Sequence, residues 1–99
     1  MTDTPKDLAS WPLNLIGWPI LTSTREALLY AQLIYDDPDS QAHLVRYRNE
    51  TYVELRRERD KKDPDGQIMM DLAITAQLYR EAYMEAARIN HEKYYPEGD

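Results

Sequence analysis

The sequence contains no cysteine and no phenylalanine, and three of its 99 residues are glycine. Without cysteine there is no disulfide framework, no thiolate metal site and no cysteine nucleophile, so packing must hold the fold. Gly17, Gly66 and Gly98 stand far apart, which excludes a glycine-rich phosphate loop. Long apolar runs are missing too: no window approaches the ~20 unbroken apolar residues of a spanning helix. The apolar stretch Leu13 to Leu21 is interrupted by Asn14, Gly17 and Pro19, and Asp3 and Asp7 offset Lys6 ahead of it, the wrong pattern for an export signal. A cytoplasmic protein is the resulting expectation. Positive charge is also in deficit. Twelve Lys and Arg against eighteen Asp and Glu give −6, which disfavours general binding to nucleic acid or to an anionic membrane.

What is present is the mixture of an ordinary globular domain, 42% hydrophobic and 30% charged, in a chain long enough for one core. Residues 1–22 read as a polar tail followed by a docking segment built on two Trp-Pro pairs, Trp11-Pro12 and Trp18-Pro19. Each proline pushes its preceding Trp toward extended backbone, leaving room for at most one or two helical turns between Pro12 and Gly17. Residues 23–95 read as a helical bundle domain.

Three helix starts are written into that domain. Ser23-Thr24-Arg25-Glu26 fits a capping box, with the Ser hydroxyl taking the third-position N–H and the Glu carboxylate reaching back. The helix it opens is apolar over most of its circumference and stops at Asp36-Asp37-Pro38. Asp37-Pro38-Asp39 and Asp63-Pro64-Asp65 each offer an Asp N-cap, a Pro at the first helical position and an acid near the positive end of the helix dipole. The sequences that follow diverge at once, so shared cap chemistry explains the likeness better than a repeat.

The second helix is therefore expected from Pro38 to Lys62 and the third, the longest, from Pro64 to Tyr94, with a tight connection that makes them antiparallel neighbours. The predicted fold is an all-α three-helix bundle: a long antiparallel helical hairpin, a shorter first helix and the extended Trp-Pro segment. Ile68, Leu72, Ala76, Tyr79, Ala82, Tyr83 and Ala86 trace one face of the third helix, and Met69, Ile74, Leu78 and Met84 widen it. The second helix ends on Arg56-Arg57-Glu58-Arg59-Asp60-Lys61-Lys62, which offers almost no apolar face. Ile68, Met69, Met70 and Leu72 opposite it thus need a cover, and the Trp11 to Leu21 segment or a second subunit is expected to supply it.

Catalytic and metal signals are weak. Glu54/Glu58 and Glu81/Glu85 share helix faces at i,i+4, but a di-iron bundle needs Glu-x-x-His, and neither His43 nor His91 has a Glu three residues before it. The glutamates read as solvated partners of Arg57, Lys61, Lys62 and Arg88. Both histidines are expected near one end of the bundle with several carboxylates, yet capping and dipole interactions already account for those acids. No serine sits in a nucleophile motif. The sequence calls for no cofactor and points away from an enzyme.

Two binding signals remain. Residues 44–62 hold seven basic and four acidic side chains, a local +3; Arg46, Tyr47, Arg48 and Tyr52 interleave cations with aromatics in the manner of a nucleic-acid surface, and Arg56, Arg57 and Arg59 follow. Arg56/Asp60 and Glu58/Lys62 at i,i+4 are expected to neutralise part of that charge. The eight tyrosines and two tryptophans are too many for the centre of so small a core and suit half-buried interfaces. The preferred expectation is a non-enzymatic protein–protein interaction module, an assembly component or small regulator. It docks a protein partner or a second copy of itself, a dimer first among oligomers, through Trp11, Leu15, Ile16, Trp18, Tyr47, Tyr52, Met69 and Met70. The alternative is a nucleic-acid-associated protein using the five arginines, and a third possibility is an acidic inhibitor of a basic site.

Overall fold

The computed structural model describes residues 8–94. It is all-α, 75% helical, and has no strands among the described residues. A short 3₁₀ turn, Leu8–Ser10, leads into the Trp-Pro segment, followed by α1 (Thr24–Ile34), α2 (Pro38–Arg59) and α3 (Gly66–Tyr94). The last is the longest, as expected.

The helix starts show how local chemistry sets the boundaries. Ser23 Oγ accepts the Glu26 N–H at 3.2 Å, and Glu26 Oε1 reaches back to the Thr22 N–H at 2.8 Å, one residue beyond the position a capping box uses. Asp37 caps α2 by accepting the Asp39 and Ser40 N–H groups and the Ser40 hydroxyl. That hydroxyl, with the two N–H bonds, holds the Asp37 carboxyl below its ordinary range. The third start differs from expectation by two residues. Asp65, not Asp63, accepts the Gln67 and Ile68 N–H groups, at 2.9 and 3.3 Å, so α3 opens at Gly66 and Pro64 stays in the loop. A carboxylate from α2 selects this register: Glu58 Oε2 accepts the Asp65 N–H at 2.9 Å while Oε1 accepts from Lys61 Nζ at 2.8 Å.

The second helix also ends early, at Arg59, with Asp60 as its C-cap. Asp60 and Lys62 therefore lie off the helix, and the expected Arg56/Asp60 and Glu58/Lys62 pairs do not form. Glu58 pairs with Lys61 and Arg59 with Asp60 instead. An i,i+4 pair needs helical backbone through both residues, and here it stops between them.

The Trp-Pro segment folds as a narrow hairpin rather than a helical turn. Asn14 N–H donates to Trp18 O at 2.8 Å and Ile20 N–H to Pro12 O at 3.0 Å, with an antiparallel bridge between Leu13 and Pro19. Its tip turns at Gly17, whose φ of +85 suits glycine and few other residues. Asn14 Oδ1 fixes the tip by accepting from the Ile16 and Trp18 N–H groups.

The Trp-Pro hairpin packs on the antiparallel pair α2 and α3 through Trp18, and α1 packs mainly on α3; the molecule is 20 Å across its thinnest axis. The core between these elements is made of alanines and aromatics. Ala27, Ala31, Ala76, Ala82 and Ala86 let the helices approach closely, and Ile34 and Leu44 are the largest side chains fully enclosed. Trp11 meets Tyr30 edge-on at 5.1 Å, Trp18 stacks on Tyr47 at 4.6 Å, and Tyr47 lies 5.5 Å from Tyr79.

Candidate functional site

The hairpin and α1 cover part of the α2–α3 pair, and this creates the site. The end of α1 is tied to the far part of the α2–α3 pair, where Asn90 Nδ2 donates to Tyr35 O at 2.9 Å and Gln41 Nε2 to the Ile34 and Tyr35 carbonyls. The hairpin covers the middle, through Trp18 on Tyr47 and Tyr79. Beyond it neither element reaches. No residue of α3 before Ala76 is buried, and past Thr51 the buried residue of α2 is Glu58 at the loop.

The expected partner-binding residues divide accordingly. Trp11 is 4% exposed and Tyr47 is buried, and Trp18 is half-buried against both Tyr47 and Tyr79, so these three complete the monomer's core. The indole of Trp11 is anchored within its own chain, donating to Ile20 O at 2.9 Å. Leu15 and Ile16 stand at the hairpin tip, 106% and 66% exposed. Met69 and Tyr52 are half-buried and Met70 is exposed at the uncovered end of the helical pair. Of the two covers expected for Ile68, Met69, Met70 and Leu72, a second subunit or the Trp-Pro segment, the segment lies elsewhere, held over Tyr47 and Tyr79 by its aromatic contacts.

The five arginines also divide. Arg46 pairs with Glu50 and Arg57 with Glu54 on the flank of α2. Arg48, Arg56 and Arg59 follow Tyr52 along another face at i−4, i+4 and i+7 spacing. Arg48 lies over the Tyr52 ring at 5.8 Å, its Nε is enclosed without a hydrogen-bond partner, and its Nη2 donates to Asn49 Oδ1.

On that face, between α2 and α3, runs a groove with two depressions. One, of about 510 Å³, has Tyr52, Val53, Leu55 and Met69 as its apolar walls and Asn49, Arg56 and Arg59 at its edge. The other, of about 200 Å³, lies between Val45 and Arg48 on α2 and Arg80, Tyr83 and Met84 on α3. The Arg48–Tyr52 pair joins them. Arg80 was not among the expected site residues: it becomes a groove residue through the pairing of α3 with α2, which the pattern of α3 alone does not specify. Val53, Ile74 and Met84 likewise sat in apolar patterns that gave no reason to expect exposure.

Among the described residues no three His, Asp or Glu side chains cluster. His43 is exposed and stacks beside Tyr47 at 6.1 Å. Among the described residues no helix is long and apolar enough to cross a membrane. Compared with protein-family models, with curated proteins and with solved structures, the chain gives no match, so its reading rests on the geometry above.

Proposed function

We propose that this chain is a non-enzymatic helical interaction module, an assembly component or small regulator in the cytoplasm, which docks a protein partner or a second copy of itself through the uncovered part of the α2–α3 pair. One observation carries this reading. Met70 and Ile74, one helical turn apart on α3, are 59% and 51% exposed, and Ile68 is 43% exposed on another side of the helix, at an end of the α2–α3 pair that no other described element covers. Burying a large apolar side chain contributes roughly 1.5–3 kcal/mol, so a patch of several is a costly feature in a lone monomer and a favourable one in a complex. Leu15 and Ile16, held outward by the Asn14 turn, give a second apolar contact point. A second reading, association with nucleic acid, draws on the convergence of Arg48, Arg56 and Arg59 beside Tyr52.

The test is site-specific photo-crosslinking in cells that make the protein. A crosslinker placed at Met70 or Ile74 is expected to yield discrete protein adducts, heteromeric or dimeric, while one at exposed Arg25 or Glu50 yields none. Absence of adducts from Met70 and Ile74, or equal adducts from every position, overturns the reading.

A further inference from the structure

We infer that the α2–α3 groove is the docking site for a helical segment of a partner protein that carries carboxylates beside an apolar stripe. The inference rests on the interaction-module reading and names the chemistry of its partner. Charge is the first argument. The chain carries −6, yet the two depressions are lined by four arginines, Arg48, Arg56, Arg59 and Arg80, and by no carboxylate. The second argument is pairing. Outside the two depressions Arg46, Arg57 and Arg88 each meet an acid at 3.3 Å or less, while exposed Arg25 meets none among the described residues. Among the described residues Arg48, Arg56 and Arg80 have no ion pair, and Arg59 reaches Asp60 at 3.4 Å. Three guanidinium groups beside an apolar lining, those of Arg48, Arg56 and Arg80, without an ion pair among the described residues of an acidic chain, suit a carboxylate supplied from outside.

Shape decides between an acidic helix and a polyanion. From Val45 to Arg59 the groove follows α2 for roughly 21 Å at ~1.5 Å per residue, about four turns, and two antiparallel helices offer a third the ridges it packs against. The lining sets Val45, Val53, Leu55, Met69 and Met84 beside Tyr52, Tyr79 and Tyr83, an apolar surface that receives Leu-like side chains. Tyr52, the ring a base would stack on, is already taken by Arg48. A polyanion would also meet the repulsion of the acidic remainder of the chain, at a range set by salt.

The experiment uses the full chain and three fluorescent probes followed by anisotropy. One is a synthetic helical peptide of about four turns with Leu at i, i+4, i+7 and i+11 and Glu beside them; the second replaces every Glu by Gln; the third is a short oligo-uridine. The Glu peptide is expected to bind at least about tenfold more tightly than the Gln peptide, and to weaken as salt rises. The double variant Arg48→Ala/Arg56→Ala should lose that binding, whereas Arg46→Ala/Arg57→Ala should keep it within about twofold. Circular dichroism checks that both variants remain folded. No binding by the Glu peptide, equal binding by the Gln peptide, preference for oligo-uridine, or equal loss in both variants overturns the inference. Adducts that persist at Met70 while the Glu peptide fails leave the module reading standing and remove this inference alone.

Discussion

The Tyr79 hydroxyl on α3 donates to the Pro19 carbonyl at 2.9 Å, joining residues 60 positions apart. Through this bond and the stacking of Trp18 on Tyr47, the Trp-Pro hairpin becomes part of the core. Burial, with the neighbouring Tyr47 and Tyr30 hydroxyls adding to it, pushes the Tyr79 hydroxyl up to about 12. Tyr30 is likewise pushed to about 12, mainly by burial. Both begin near 10 in the unfolded chain. The unfolded state therefore loses these protons first, and the stability they contribute is complete below pH 10 and declines as pH rises from 10 toward 12. Tyr79→Phe keeps the ring but leaves the Pro19 carbonyl unpaired, and should lower stability at pH 7 by roughly 1–2 kcal/mol in urea unfolding. It should also make the alkaline decline shallower. An unchanged midpoint, or an unchanged alkaline slope, would show that the contact does not hold the hairpin.

Glu58 links the end of α2 to the start of α3, and its carboxyl lies below the ordinary range, first because Lys61 donates to it and then because the Asp65 N–H does. A carboxyl lowered in the folded state contributes above its unfolded pKa and loses that contribution as pH falls through the folded value. Glu58→Ala should therefore melt at a lower temperature than the parent at pH 7, and the two curves should converge as pH falls below the ordinary glutamate range and through the lowered folded value. A gap that stays constant with pH would assign the effect to packing rather than to the carboxylate.

The two halves of the Trp-Pro segment should respond in opposite ways to substitution. Trp11→Ala empties a core position against Tyr30 and should cost about 3–5 kcal/mol. Leu15→Asn, at the fully exposed tip, should stay within about 0.5 kcal/mol of the parent. Chemical denaturation distinguishes them. A large loss from Leu15→Asn would mean that the tip is buried in solution, as in a stable dimer.

Sequence by itself determined the helical class, three helix starts to within two residues, and the neighbouring antiparallel pair. These follow from interactions that act within one or two turns: Ser23 on Glu26, Asp37 on Ser40, and an apolar period along α3. Ion pairs at short helical spacing were legible for the same reason, in Glu54 with Arg57 and Glu85 with Arg88. Tertiary structure decided the rest. Whether Trp11 and Trp18 face inward depends on aromatic partners 19 to 61 positions away, at Tyr30, Tyr47 and Tyr79, and no local pattern encodes such meetings. The uncovered end of the hairpin exists because α1 is 11 residues long and α3 is 29, and because α1 is anchored at Asn90 rather than near Gly66. The end of α2 at Arg59 left Arg56 without Asp60, and the pairing of α3 with α2 brought Arg80 to the groove, since burial and pairing belong to elements that meet and not to the segment that carries the side chain.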